Sequence, residues 1–135
     1  MSGIYVAAIL TTALALGIFG TLIRRLKLPA NGWLLLLAFL IALPLQPAAF
    51  YFIRVPLDQW LTGWLGSKSM TLQWLVTFYA PVTEELAKLV PLLVPAIRRD
   101  IGRENFGRYA LAIGVGFAIG EMWFIAEKIG RLPAS

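Results

Sequence analysis

The sequence predicts an all-α integral membrane protein with four transmembrane helices and one short interfacial amphipathic helix. Of its 135 residues, 59% are hydrophobic and 14% are charged, and the mean hydropathy is +0.77. Apolar stretches of about 20 residues recur along the chain, and this length crosses a bilayer core about 30 Å thick. Four such spans fill the length, so we expect residues 1–135 to form a single transmembrane domain.

The first two predicted spans cover about residues 4–23 and 33–53. No Lys or Arg precedes the first span, so the basic start of a cleaved signal peptide is missing and a retained helix is expected. Within the second span, Pro44 and Pro47 each lack a backbone donor. We therefore expect a kinked helix whose freed carbonyls bond to a neighbouring group.

A short amphipathic helix is predicted at about 57–66, with Pro56 near its start and Gly66 at its end. Its apolar side chains recur at helical spacing between polar ones, which is typical of a helix lying in the membrane interface. Tryptophans at headgroup depth are common anchors, although docking of a partner on the same helix stays open. The apolar residues are Leu57, Trp60, Leu61, Trp64 and Leu65.

Two further spans are predicted at about 72–97 and 109–129, and the basic residues indicate their orientation. The loops after the first and third spans hold three and four Lys or Arg, whereas the second loop and the C-terminal segment hold two each. This excess predicts an amino terminus outside and both basic loops in the cytoplasm. The basic loop residues are Arg24, Arg25 and Lys27, and Arg98, Arg99, Arg103 and Arg108.

Composition also limits the chemistry of the chain. It contains no Cys and no His, which excludes a thiol nucleophile, an iron–sulfur site, an imidazole base and an ordinary zinc or haem ligand set. The basic residues cluster between apolar runs and indicate topology rather than nucleic-acid binding. Carboxylates, Lys and hydroxyl groups remain as reactive side chains, and the sequence specifies neither a cofactor nor a metal ion.

Three charged residues, Glu84, Glu85 and Lys88, interrupt the apolar third span. Helical spacing lets the Lys88 ammonium reach either carboxylate. One lysine cannot neutralise both, so we expect one glutamate to be ionised beside Lys88 and the other to be protonated. Two coupled carboxyls with separated pKa values can perform general acid–base chemistry.

The fourth span adds Glu121, which lies at the same predicted depth as Glu85. Each stands twelve residues from the basic loop between the spans, or about 18 Å at about 1.5 Å per residue. We therefore expect Glu85 and Glu121 to face each other on antiparallel helices. A stripe of small residues, Ala112, Gly116 and Gly120, leads to Glu121 and predicts close approach of another helix.

These residues resemble the PrsW family of intramembrane proteases, relatives of the CAAX-processing and bacteriocin-processing membrane peptidases. The segment 80–88, Ala-Pro-Val-Thr-Glu-Glu-Leu-Ala-Lys, is similar to the family's Glu-Glu-x-x-Lys motif. The segment 116–121, Gly-Phe-Ala-Ile-Gly-Glu, is similar to a Gly-Phe-Ala motif that leads to Glu-Asn, with Met122 in place of the asparagine. The resemblance covers about residues 79–124, and implies a peptidase of the bacterial inner membrane.

Three functional hypotheses follow. In the first, Glu84 or Glu85 activates water to cleave a transmembrane or membrane-proximal peptide, Lys88 keeps the partner carboxylate ionised, and Glu121 positions water or substrate. Lys88, Thr83 or backbone freed at the prolines would stabilise the oxyanion. In the second, the protein is a non-catalytic subunit or oligomer whose charged helix pair and Gly stripe bind partner helices in a larger membrane complex. A salt-bridge network that only fixes helix orientation is the structural alternative for the same charged residues. In the third, weaker hypothesis, the carboxylates conduct protons or ions.

Overall fold

The computed structural model describes residues 2–25 and 31–131, and every regular element in them is helical. Lys27, part of the first predicted basic loop, lies outside these residues. The elements are α1 (Ser2–Arg25), α2 (Gly32–Ala42), α3 (Leu45–Ala49), a π-helical turn (Phe50–Arg54), α4 (Val55–Leu65), α5 (Met70–Ala87), a 3₁₀ turn (Val90–Leu93), α6 (Pro95–Asp100) and α7 (Phe106–Gly130).

Three of the described helices are long and apolar enough to cross a membrane. They are Gly3–Arg25, Gly32–Leu65 and Phe106–Gly130, and they contain the first, second and fourth predicted spans. The prediction of an all-helical membrane fold is confirmed at this level. Within the second helix, regular hydrogen bonding breaks at Leu43 and Pro44, between α2 and α3, as expected for the predicted kink.

The predicted interfacial helix corresponds to α4, Val55–Leu65, but it continues from the second helix without a connecting loop. The second helix runs for 34 residues as far as Leu65, because hydrogen bonding continues through the π-helical turn, where the Val55 N–H donates to the Phe50 carbonyl. This wider turn gives the Pro56 ring room beside the preceding carbonyls. At about 1.5 Å per residue the helix is about 51 Å long, well beyond a bilayer core of about 30 Å.

The third predicted span, residues 72–97, is likewise not one continuous helix. α5 ends at Ala87, the 3₁₀ turn follows, and α6 begins at Pro95. Pro91 cannot donate to the Ala87 carbonyl, and Pro95 disfavours the α conformation at Val94, whose ψ is 115°. Two prolines four residues apart therefore end the helix, where the sequence pattern predicted only a kink.

α7 lies at the centre of the helix bundle, antiparallel to α1 and parallel to α2. Arg108 donates to the Ile23 carbonyl at 3.2 Å, and Trp123 donates to the Thr12 hydroxyl at 3.0 Å, so the numbering of α1 and α7 runs in opposite directions. The first bond also brings the C-terminal end of α1 to the start of α7. The ends that carry the two basic segments therefore lie together.

The small-residue stripe on α7 packs against α2, which confirms the predicted close approach of a helix. A Cβ added to Gly116 would lie 2.5 Å from the Phe39 carbonyl oxygen, and one added to Gly120 would lie 1.8 Å from that of Leu43. Ala112 is fully buried in the adjoining core. Only glycine permits backbone contact this close.

The end of α6 is tied to α7 by hydrogen bonds. The Asn105 side chain accepts from the Gly102 N–H at 2.7 Å and donates to the Asp100 carbonyl at 2.7 Å. The Tyr109 hydroxyl donates to the Asp100 carboxylate at 2.6 Å. These bonds hold the end of the broken helix against the core beside α2 and α7.

Candidate functional site

Glu84 forms an ion pair with an arginine that the sequence pattern did not single out. Arg54, the last residue of the π-helical turn, places Nη1 2.9 Å from Glu84 Oε1, and the two side chains are 20% and 27% exposed. The assumption that Lys88 is the only cation available to the two carboxylates is therefore wrong. Each glutamate has its own cation, because Arg54 pairs with Glu84 from 30 positions earlier in the chain.

Glu85 pairs with Lys88, as the helical spacing predicted for one of the two glutamates. Lys88 Nζ lies 2.6 Å from Glu85 Oε1 and 5.0 Å from the centre of the Phe117 ring. The Glu85 side chain is 71% exposed on the outer surface of α5, whereas that of Lys88 is 32% exposed. Successive helical residues point about 100° apart, so Glu84 faces the helix interface and Glu85 faces outward.

The π-helical turn presents Arg54 to α5. The Arg54 guanidinium lies over the Phe50 ring at 5.6 Å from its centre, and the cation–π contact restricts the long side chain. A π-helical turn adds a residue to a helical turn and changes the direction of the side chains that follow, and such turns are frequent at functional sites. The sequence signal for Arg54 was its position as a basic residue at the end of an apolar run. Its assignment to the loop that follows the second predicted span concealed this signal.

Glu121 does not join the acid pair. It lines a cleft of about 320 Å³ between α7 and α1, together with Ala7, Ala8 and Thr11. The similar depth predicted for Glu85 and Glu121 agrees with the structure. Lys88 contacts Phe117 on α7, and Glu85 lies about one helical turn before Lys88, toward the level of Glu121. The predicted direction is wrong, because α5 packs mainly on α3, the π-helical turn and α4, whereas Glu121 is directed to α1.

The donors near the acid pair differ in their availability. The Thr83 hydroxyl donates to the Ala80 carbonyl at 2.8 Å, so its proton is already engaged. The Lys88 ammonium has three donors, of which one is directed to Glu85. Lys88 also borders an apolar cavity of about 210 Å³ between the 3₁₀ turn and α7, lined by Leu89, Leu92 and Ile113 among others. The arrangement therefore places an ammonium donor between a carboxylate and an apolar cavity.

Comparison with known proteins identifies one family. The family model described as PrsW family intramembrane metalloprotease matches residues 30–129, a longer range than the two motifs that carry the resemblance. The matched range contains Arg54, Glu84, Glu85, Lys88 and Glu121. Comparison with curated proteins and with solved structures gives no match.

Proposed function

The chain belongs to the PrsW family of intramembrane metalloproteases, and from this premise we propose that it hydrolyses a peptide bond in a membrane-embedded or membrane-proximal segment. The observation that carries the proposal is the pair of carboxylates, each beside its own cation, in an apolar helical protein. Charges at such positions are unfavourable in lipid and more often mark a reaction site, an ion path or a proton path than a structural contact.

Glu84 is the proposed general base, because it is the more enclosed carboxylate and Arg54 fixes its position. An arginine stays protonated, so Arg54 keeps a fixed positive charge beside this carboxylate. Glu84 would take a proton from water while the water oxygen attacks the carbonyl carbon of the peptide. When the tetrahedral intermediate collapses and the C–N bond breaks, the same proton passes to the leaving nitrogen.

Lys88 is the proposed oxyanion donor, and Glu85 is the group that holds it. The 2.6 Å contact uses one N–H of the ammonium, and the other two can donate to the negative oxygen that develops on the peptide carbonyl. The apolar cavity beside Lys88 would take a hydrophobic side chain of the substrate. Glu121 is assigned no step, because it lines the cleft with α1.

The family description implies a metal ion, and the described residues do not fit one. Within residues 2–25 and 31–131, no three acidic, histidine or cysteine side chains are grouped so that they could hold a metal ion. Both carboxylates of the acid pair already accept hydrogen bonds from cations. No step of the proposed reaction therefore uses a metal ion.

The test is cleavage of a library of single-span peptides by the protein in lipid vesicles, with products identified by mass spectrometry. Glu84→Gln should abolish cleavage and leave the helical circular dichroism unchanged, since glutamine keeps the shape of the side chain but cannot act as the base. Glu127→Gln is the matched control, because Glu127 is exposed and pairs with Arg131 on the surface. Absence of cleavage by the wild-type protein, or full activity of Glu84→Gln, would contradict the proposal.

A second candidate function is that of a non-catalytic subunit, and the exposure of Glu85 favours it. Glu85 stands among apolar side chains that face outward on α5 and beyond it, including Val82, Leu86 and Leu89. A polar partner helix on this surface would shield the charges from lipid. Purification of the protein in gentle detergent with a stoichiometric partner, lost on Glu85→Gln, would support the subunit; purification alone would count against it.

A further inference from the structure

Several buried polar atoms on the elements that pack around Glu84 have no hydrogen-bond partner among the residues that the structure describes. They are Gln46 Oε1, Arg54 Nε, Asp58 Oδ1 and Tyr79 Oη. All four lie on α3, the π-helical turn, α4 or the facing helix α5, which pack together. A buried polar atom is strongly disfavoured when it is unpaired, and lipid offers it no partner.

The register of α4 and α5 relates the levels of three of these residues along the hairpin. The two helices form an antiparallel hairpin joined at Gly66–Ser69, and the ion pair between Arg54 and Glu84 fixes their register. Asp58 lies one helical turn, about 6 Å, beyond Arg54 on the same face of the helix, and Tyr79 lies about 7.5 Å from Glu84 along the axis of α5 in the same direction. Asp58 and Tyr79 are therefore at nearly the same level, between the acid pair and the hairpin connection.

We propose that ordered water fills this seam and connects Glu84 with the membrane surface at the hairpin connection. The seam is defined by Arg54, Asp58 and Tyr79. Arg54 Nε and the Tyr79 hydroxyl can donate to water and Asp58 Oδ1 can accept from it, so the seam offers the two to four polar partners that a buried water needs. The use of this water in hydrolysis rests on the proposed function, whereas its presence in the seam does not.

The aromatic neighbours Tyr79 and Phe78 provide a test without any substitution. Phe78 is 75% exposed on the outside of α5 and would contact acyl chains. The wild-type protein, in nanodiscs of phosphatidylcholine and phosphatidylglycerol, is irradiated with X-rays in ¹⁸O-labelled water and analysed by mass spectrometry. Hydroxyl radicals that form from water in the seam should add labelled oxygen to Tyr79 and leave Phe78 nearly unmodified. Equal, low modification of both rings would overturn the proposal.

Two neighbouring polar residues provide matched variants. Asp58→Leu removes the acceptor from the seam and should abolish most of the Tyr79 modification, whereas Gln59→Leu makes a similar change at an exposed position and should leave it unchanged. Unchanged modification in a folded Asp58→Leu protein would refute the seam. The outcomes also separate the two proposals. If Tyr79 is modified but the protein cleaves no peptide, the hydrated seam is supported and the proposed function is not. If the protein cleaves peptides but Tyr79 stays unmodified, the proposed function is supported and the seam is not.

Discussion

Replacing Gly120 by alanine tests how tightly α7 packs on α2. The added Cβ would lie 1.8 Å from the Leu43 carbonyl oxygen, far inside van der Waals contact. The obstacle is backbone, so no side-chain rotation relieves it and the helices must separate. Overpacking of this kind costs about 1–3 kcal/mol, and more where the surroundings cannot shift. Alanine also favours the helix by about 1 kcal/mol relative to glycine, which offsets part of the loss.

Gly114→Ala is the matched control, because it makes the same chemical change six positions earlier on α7. A Cβ at Gly114 has no neighbour within 4 Å among the described residues, so this variant should be as stable as the wild type or more stable. Subtracting the unfolding free energy of one variant from that of the other removes the helix-propensity gain that they share. The remaining difference is the steric cost at Gly120, which we expect to be about 1–3 kcal/mol.

Unfolding in mixed micelles of increasing sodium dodecyl sulfate content, followed by circular dichroism, measures these free energies. Gly116→Ala should fall between the other two variants, since its Cβ would lie 2.5 Å from the Phe39 carbonyl oxygen and 3.1 Å from the Ala42 methyl group. Equal stability of Gly120→Ala and Gly114→Ala would refute the packing of α7 on α2. A loss for Gly114→Ala that exceeds the loss for Gly120→Ala would refute it as well.

Two further predictions concern the ends of the helices. Lys128→Gln should lower the unfolding free energy by about 1 kcal/mol, because the ammonium lies 4.9–5.3 Å from the centres of three aromatic rings on α7 and the π-helical turn; Arg131→Gln, at an exposed ion pair, should change it little. Single cysteines at Ser67 and Gly102, in a chain without native cysteine, should react with an impermeant maleimide from opposite sides of the membrane. Labelling from one side would contradict a crossing between them.

The small-residue stripe could be predicted because its evidence is local. Ala112, Gly116 and Gly120 lie on one face of any helix formed by this segment, and only close packing uses such a face. The helix that occupies the face was not predictable in the same way, because many apolar helices present carbonyls that a glycine could approach. The structure selects α2, which runs parallel to α7, and Glu121 next to the stripe consequently lies on the side of α1.

Helix ends were predicted less well than helix faces, and the prolines explain why. The pattern around Pro91 was interpreted as a kink, but Pro95 adds a second restriction one turn later and the helix ends instead. At Pro56 the opposite occurred: a helix start was predicted, and the π-helical turn carries the helix across. A proline permits a kink, an end or a wide turn, and contacts distant in the sequence decide among them.

Arg54 was missed for the same physical reason, and it changes the interpretation of the acid pair. Its partner is 30 positions away, and its direction depends on the π-helical turn. A partly buried ion pair contributes little net stability compared with apolar side chains of similar size, so Glu84 and Arg54 are poorly explained as a structural contact. What the pair provides is a carboxylate in a fixed position beside an always-charged group. The general base proposed for Glu84 would use that arrangement, which a single lysine shared between two glutamates would not supply.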